Sequence, residues 1–149
     1  MTLRQPIPAA FFALALLWVE LPATAQENAS FVGRLSPRPI DGRMRGQLTG
    51  VGEIRAVLEG TTLRITGSFE GMQTPALGAS LRRGIASGVA GPAFAELEVT
   101  RGTGGVVYGS TTLDGSLRQS LEKGGLYVQI DGENAEDGTL WGFLIQESR

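Results

Sequence analysis

The chain contains no cysteine and no histidine. The first absence removes disulfides and thiolate chemistry. The second removes imidazole, on which catalytic triads and most transition-metal sites depend. Zinc, copper, ordinary haem ligation and Ser-His or Cys-His nucleophilic catalysis are set aside together. Charge of one sign is missing too. The net charge is -2 and the basic residues are scattered, so no basic stripe invites nucleic acid. Beyond residue 25 no apolar run is long enough to cross a bilayer as a helix.

The N-terminus reads as an address. Arg4 gives a small positive lead, and residues 9–19 form an apolar run too short to span a membrane. Ala23-Thr24-Ala25 is a small-x-small cleavage site. Residues 1–25 are therefore expected to be a cleaved signal peptide, with Gln26 opening the mature chain. No cysteine stands at that point to take a lipid. Residues 26–149 have the size of one domain and can bury a core without staples. An exported chain without disulfides suits a bacterial periplasm or secretion. Periplasmic or secreted is the expected location.

What is abundant is glycine, with 22 residues. Strand-length segments recur between Gly-rich turns, which favours an all-β domain. The clearest hairpin lies in residues 50–72. Ile54, Ala56 and Leu58 alternate with Glu53, Arg55, Val57 and Glu59, and after Gly60 Leu63, Ile65, Gly67 and Phe69 alternate with Arg64, Thr66, Ser68 and Glu70. One face meets a core and the other meets water. Further strands are expected in residues 30–35, 79–85, 95–99 and 106–113. Residues 36–46, with two prolines and three arginines, read as a loop. One helix is expected, opened by Ser116 and closed by Lys123. Ser116 and Gln119 form a capping box, Leu117 and Leu121 share a face, and Gly124 stops it.

Residues 124–144 hold the most informative stretch. Leu126, Val128 and Ile130 alternate with Tyr127, Gln129 and Asp131, an acidic turn follows, and Leu140 to Ile145 returns. With the leucine parity inward, Tyr127 faces out. The returning strand is apolar at both parities, so Tyr127, Trp141, Phe143 and Ile145 are candidate interface residues.

Three stretches together resemble the CHRD domain, a module first described in chordin and common in bacterial exported proteins. They are Ser36-Pro37-Arg38-Pro39, then Ala79-Ser80-Leu81-Arg82 with Gly91-Pro92, and last Leu126-Tyr127-Val128-Gln129-Ile130-Asp131 with Gly138-Thr139-Leu140-Trp141-Gly142. The order and spacing of these motifs carry the likeness over nearly the whole mature chain. The family's histidines fall on Ser80, Arg82 and Asp131, and its late arginine on Trp141. A histidine cluster cannot operate here. An ion pair of Arg82 with Asp131 is the candidate replacement.

The expected architecture is an antiparallel β-sandwich of the Ig-like or Greek-key type, resembling CHRD, with the one short helix. The resemblance implies a non-catalytic binding or accessory domain, because chordin modules act in extracellular protein binding. A protein partner is expected, with peripheral attachment to a membrane complex within reach, and no nucleic acid. No cofactor is implied. The alternative is a calcium-binding β-domain using Asp131, Glu133, Glu136 and Asp137, since calcium takes oxygen donors and needs no imidazole. A hydrolase ranks last. Glu96 and Glu98 are a close carboxylate pair, but they share one strand face and so lack the unequal environments acid–base catalysis needs.

Overall fold

The computed structural model describes residues 28–38, 48–85, 89–133 and 135–148, without the side chains of 135–137. The signal-peptide reading of residues 1–25 lies outside the described residues.

Among the described residues nine strands and one helix follow in order: β1 (Ala29–Pro37), β2 (Val51–Glu59), β3 (Thr62–Glu70), β4 (Ala76–Arg83), β5 (Ala93–Val99), β6 (Gly105–Thr112), α1 (Gly115–Glu122), β7 (Leu126–Gly132), β8 (Ala135–Phe143) and β9 (Ile145–Gln146). Hydrogen bonding runs β2-β3-β6-β5-β4-β7-β8-β1, and β1 returns to β2. Every pairing is antiparallel. The ring closes: this is an eight-stranded antiparallel β-barrel, not the expected sandwich with two open sheets. β9 extends β8 along β1 in one register, Ser36 facing Trp141 and Val32 facing Ile145.

Two strands overturn the sandwich, because each belongs to both sheets. β1 pairs with β2 from Ala29 to Leu35 and with β8 at Ser36 and Pro37. β5 pairs with β4 through Leu97 and with β6 at Glu98 and Val99. A strand that passes from one sheet to the next makes a corner. The β1–β8 corner needs close backbones. A Cβ on Gly33 would lie 2.7 Å from the Phe143 carbonyl oxygen. Glycine removes that obstacle, and the seam closes.

The barrel interior is solid. Phe31, Leu35, Ile54, Leu63, Ile65, Leu81, Val128, Ile130 and Leu140 fill it, each at most 1% exposed. The alternation read in residues 50–72 is what places Ile54, Ala56, Leu58, Leu63, Ile65 and Phe69 there. Glu53, Arg55, Glu59, Arg64, Glu70, Glu96 and Glu98 point outward and are exposed. Apolar inside and charged outside is the inverse of a lipid-facing barrel.

Each end is stopped. At one end the β3–β4 connection crosses, burying Met72. Its backbone is tied down where the N–H groups of Met72 and Ala76 donate to the carbonyls of Thr103 (3.0 Å) and Gly102 (2.9 Å). At the other end α1 crosses between β6 and β7. It buries Leu121 and packs Leu117 against the core. The helix starts one residue before the expected point, and its cap differs. The Asp114 side chain, not Ser116, accepts from the Leu117 N–H at 2.8 Å. Asp precedes Gly115 and outcompetes Ser two residues on, because it sits where the chain is still extended, at ψ 175°. The Ser116 hydroxyl instead accepts from Arg83 at 3.1 Å. Gly124 terminates the helix at φ +73°. Its N–H reaches the Leu121 carbonyl (3.0 Å), and the Gly125 N–H reaches that of Ser120 (2.8 Å), a Schellman arrangement.

Candidate binding surface

A solid interior leaves the outside of the barrel as the place for function. Two outer regions stand out, and they meet at Phe143.

The first lies over β4, β7 and β8. Unlike the charged outer faces of β2 and β3, this panel is buried. Tyr127 is 0% exposed and Trp141 4%. The Tyr127 ring sits 5.0 Å from Trp141 and 4.8 Å from Phe143, centroid to centroid, both tilted. The aromatic row expected from strand parity therefore exists, and most of it is covered. The Tyr127 hydroxyl accepts from the Gly91 N–H at 2.8 Å. Arg82 holds the same residue, donating from Nη1 to the Gly91 carbonyl at 2.9 Å and from Nε to the Ser80 hydroxyl at 3.0 Å. The Arg83 N–H donates to the Pro92 carbonyl at 3.2 Å. The Gly91-Pro92 segment is thus strapped onto the panel.

Arg82 and Asp131 do not pair among the described residues. Arg82 stands opposite Tyr127 while Asp131 stands opposite Gly78, four residues along the same ladder. Four residues of strand span about 13 Å, too far for an ion pair. Arg82 spends its donors on Ser80 and Gly91. Asp131 accepts from Gln129 Nε2 at 2.7 Å.

No group of three acidic, His or Cys side chains that could hold a metal occurs among the described residues. Of the four calcium candidates, Asp131 is half-buried and Glu133 is exposed. The side chains of Glu136 and Asp137 lie outside the described residues. The Arg38 N–H donates to the Thr139 carbonyl at 3.1 Å, which brings a cationic residue of the chain itself beside this hairpin. Glu96 and Glu98 are both exposed on the outer face of β5.

The second region lies over β1, β2, β3 and β9. Phe143 and Ile145 are 41% and 54% exposed there. They wall a groove of about 590 Å³ that runs over Val32, Arg34, Glu53 and Arg55 to Thr66 and Ser68. Its size is in the range of ordinary binding clefts. A second depression of about 460 Å³ continues it past Arg34, Glu53 and Ser68 to Glu70. Arg55 makes a 3.5 Å ion pair with Glu147. Arg34 and Glu53 are register partners, yet neither makes an ion pair among the described residues.

The four interface candidates thus divide. Tyr127 and Trp141 are interior to the outer panel, while Phe143 and Ile145 reach solvent. Sequence reasoning missed the groove and the contacts of Ser80 with Arg82 and of Gln129 with Asp131. One signal was there to use: the outward positions of β7 carry Tyr127 and Gln129 where those of β2 carry Glu53, Arg55 and Glu59. Loss of charge at outward positions announces a covered face. The groove leaves no local signal, since strands distant in the chain form its walls.

No family model, no curated protein and no solved structure matches the chain. The likeness to CHRD modules rests on the residues quoted for it.

Proposed function

We propose that the protein is a non-catalytic exported binding domain, an accessory subunit that docks another protein on the outside of its barrel. The observation that carries this reading is the exposure of Phe143 and Ile145 along the wall of a 590 Å³ groove. Aromatic and aliphatic anchors beside a concave, partly polar surface are the usual centre of a protein interface. Catalysis is disfavoured by the setting of the carboxylates. Glu96 and Glu98 share one exposed face, so neither environment sets one apart as an acid and the other as a base. The CHRD-like order of motifs supports the same class of function, and the leader supports a periplasmic or secreted setting.

The test is paired affinity capture from the native envelope, with the wild-type chain and a Phe143→Ser/Ile145→Ser variant. A protein recovered by the first and lost with the second supports the reading. Equal recovery by both, or recovery by neither, removes the groove as a docking surface.

A further inference from the structure

Strand register lays out the outer face around the groove row by row. One row runs Ile145, Val32, Arg55, Thr66, Tyr108 across β9, β1, β2, β3 and β6. In the next row Arg34 faces Glu53 and Glu53 faces Ser68. The row from Ile145 to Tyr108 makes four inter-strand steps, about 19 Å in all. Its two margins are apolar and exposed: Phe143 and Ile145 on one side, Val106 and Tyr108 on the other at 50% and 53%. Between them stand two opposite charges, Arg34 and Glu53, that make no ion pair among the described residues.

Directly opposed residues on an antiparallel pair have Cβ atoms about 5 Å apart, close enough for an Arg and a Glu to meet. Opposite charges do meet elsewhere among the described residues, diagonally across a strand pair in Arg64–Glu59 at 3.6 Å and one helical turn apart in Arg118–Glu122 at 3.3 Å. Arg34 and Glu53 instead flank the groove separately, and both line each of its two depressions.

From this we infer that the groove is a two-fold interface between copies of this chain, in which Arg34 of each copy pairs with Glu53 of the other. The inference rests on reading the groove as a protein-docking surface and names its occupant. An isologous contact must be self-complementary: one patch has to offer both members of every pair. This patch does so in charge, with a cation and an anion side by side that make no ion pair among the described residues. It does so in shape, with an apolar wall at Phe143 and Ile145 adjoining the hollow such a wall would enter. A foreign partner would need only one half of either match. Charges shielded by apolar margins are also where an ion pair gains from desolvation of its rim.

Charge reversal tests this on the mature full chain by sedimentation across micromolar to sub-millimolar concentration. The wild type is expected to be a dimer. Arg34→Glu and Glu53→Arg should each weaken association tenfold or more, since each puts like charges together across the axis twice. The double variant Arg34→Glu/Glu53→Arg should recover most of the loss. Circular dichroism checks that the single variants fold, and Phe143→Ser/Ile145→Ser supplies a second route to dissociation that leaves the charges alone. A wild type that stays monomeric throughout overturns the inference. So does a dimer indifferent to both single reversals, or one that the double reversal fails to restore. If the chain is monomeric while envelope capture still depends on Phe143 and Ile145, the docking surface stands and only its occupant is wrong.

Discussion

The hydroxyl of Tyr127 accepts a 2.8 Å hydrogen bond from the backbone N–H of Gly91, 36 residues earlier in the chain. Both residues are buried, so the bond is the only anchor holding that N–H away from water among the contacts described. Tyr127→Phe keeps the ring and its two aromatic neighbours but strands the donor. The expected loss is about 1–3 kcal/mol, the cost of an unsatisfied buried group. Urea unfolding measures it, and amide exchange at Gly91 should quicken. A variant as stable as wild type would show that the Arg82 side chain and the Arg83–Pro92 backbone bond hold the strap without it.

The corner between β1 and β8 makes a prediction about a single methyl group. Gly33→Ala would press a Cβ against the Phe143 carbonyl oxygen, at 2.7 Å. Backbone cannot step aside as a side chain can, so overpacking should cost at least about 1–3 kcal/mol. Gly115→Ala is the control. No atom lies within 4 Å of the Cβ there, and the residue begins a helix, so the same methyl should be neutral or add about 0.4–1 kcal/mol of stability. Thermal melts of the two variants should move in opposite directions, or at least differ in size. Equal losses would mean that the seam has slack.

For α1 the prediction separates two neighbouring polar residues. Asp114→Ala removes the acceptor for the Leu117 N–H and should cost about 0.5–2 kcal/mol. Ser116→Ala removes only an exposed contact with Arg83 and should stay within about 0.5 kcal/mol of wild type. The reverse ranking in a denaturant series would restore Ser116 as the cap.

Trp141 and Phe143 are separated by one residue and by their surroundings. Trp141→Ala empties a buried site and should cost about 3–5 kcal/mol. Phe143→Ser, on a side chain 41% exposed, should cost clearly less while weakening association through the groove. Melting temperature and association, measured on both, distinguish stability from binding. A Trp141→Ala variant that melts normally but no longer associates would move the interface from the groove to the aromatic panel.

Export predicts a mass. Cleavage after Ala25 leaves a chain beginning at Gln26, and intact-mass measurement of the protein recovered from its native compartment should show it. A species that keeps residues 11–19 would contradict the proposed location.

Much of the wall was legible because alternation is local. Ile54, Ala56 and Leu58 against Glu53, Arg55 and Glu59 needs only nine residues to be read. Closure is different. Sandwich and barrel share the same alternation, and what distinguishes them is whether β1 and β5 bond on both sides. That is settled by contacts such as Ser36 with Trp141, which no window of sequence contains. The outward parity of Tyr127 was readable for the same local reason, while that of Trp141 stayed open because its strand is apolar at both parities. Their burial was not, since it depends on Gly91 arriving from another part of the chain. The proposed ion pair failed on register: Arg82 and Asp131 lie on neighbouring strands but four residues apart along them. Sequence alone does not fix that offset.

Ring closure also puts a clock on this chain. β1 finds β2 early, but its other edge waits for β8 and β9, and Phe31 meets Gln146 only 115 residues later. At the roughly 5–20 residues per second of synthesis, that edge stands unpaired for about 6–23 s. An open strand edge is a template for the wrong partner. A chain that cannot close until its last strand arrives also remains threadable until then, which suits the proposed export. Helical proteins of this size complete their contacts locally and would have folded first. The seam that makes the finished barrel edgeless thus makes the unfinished one slow, with the edge of β1 open during those seconds.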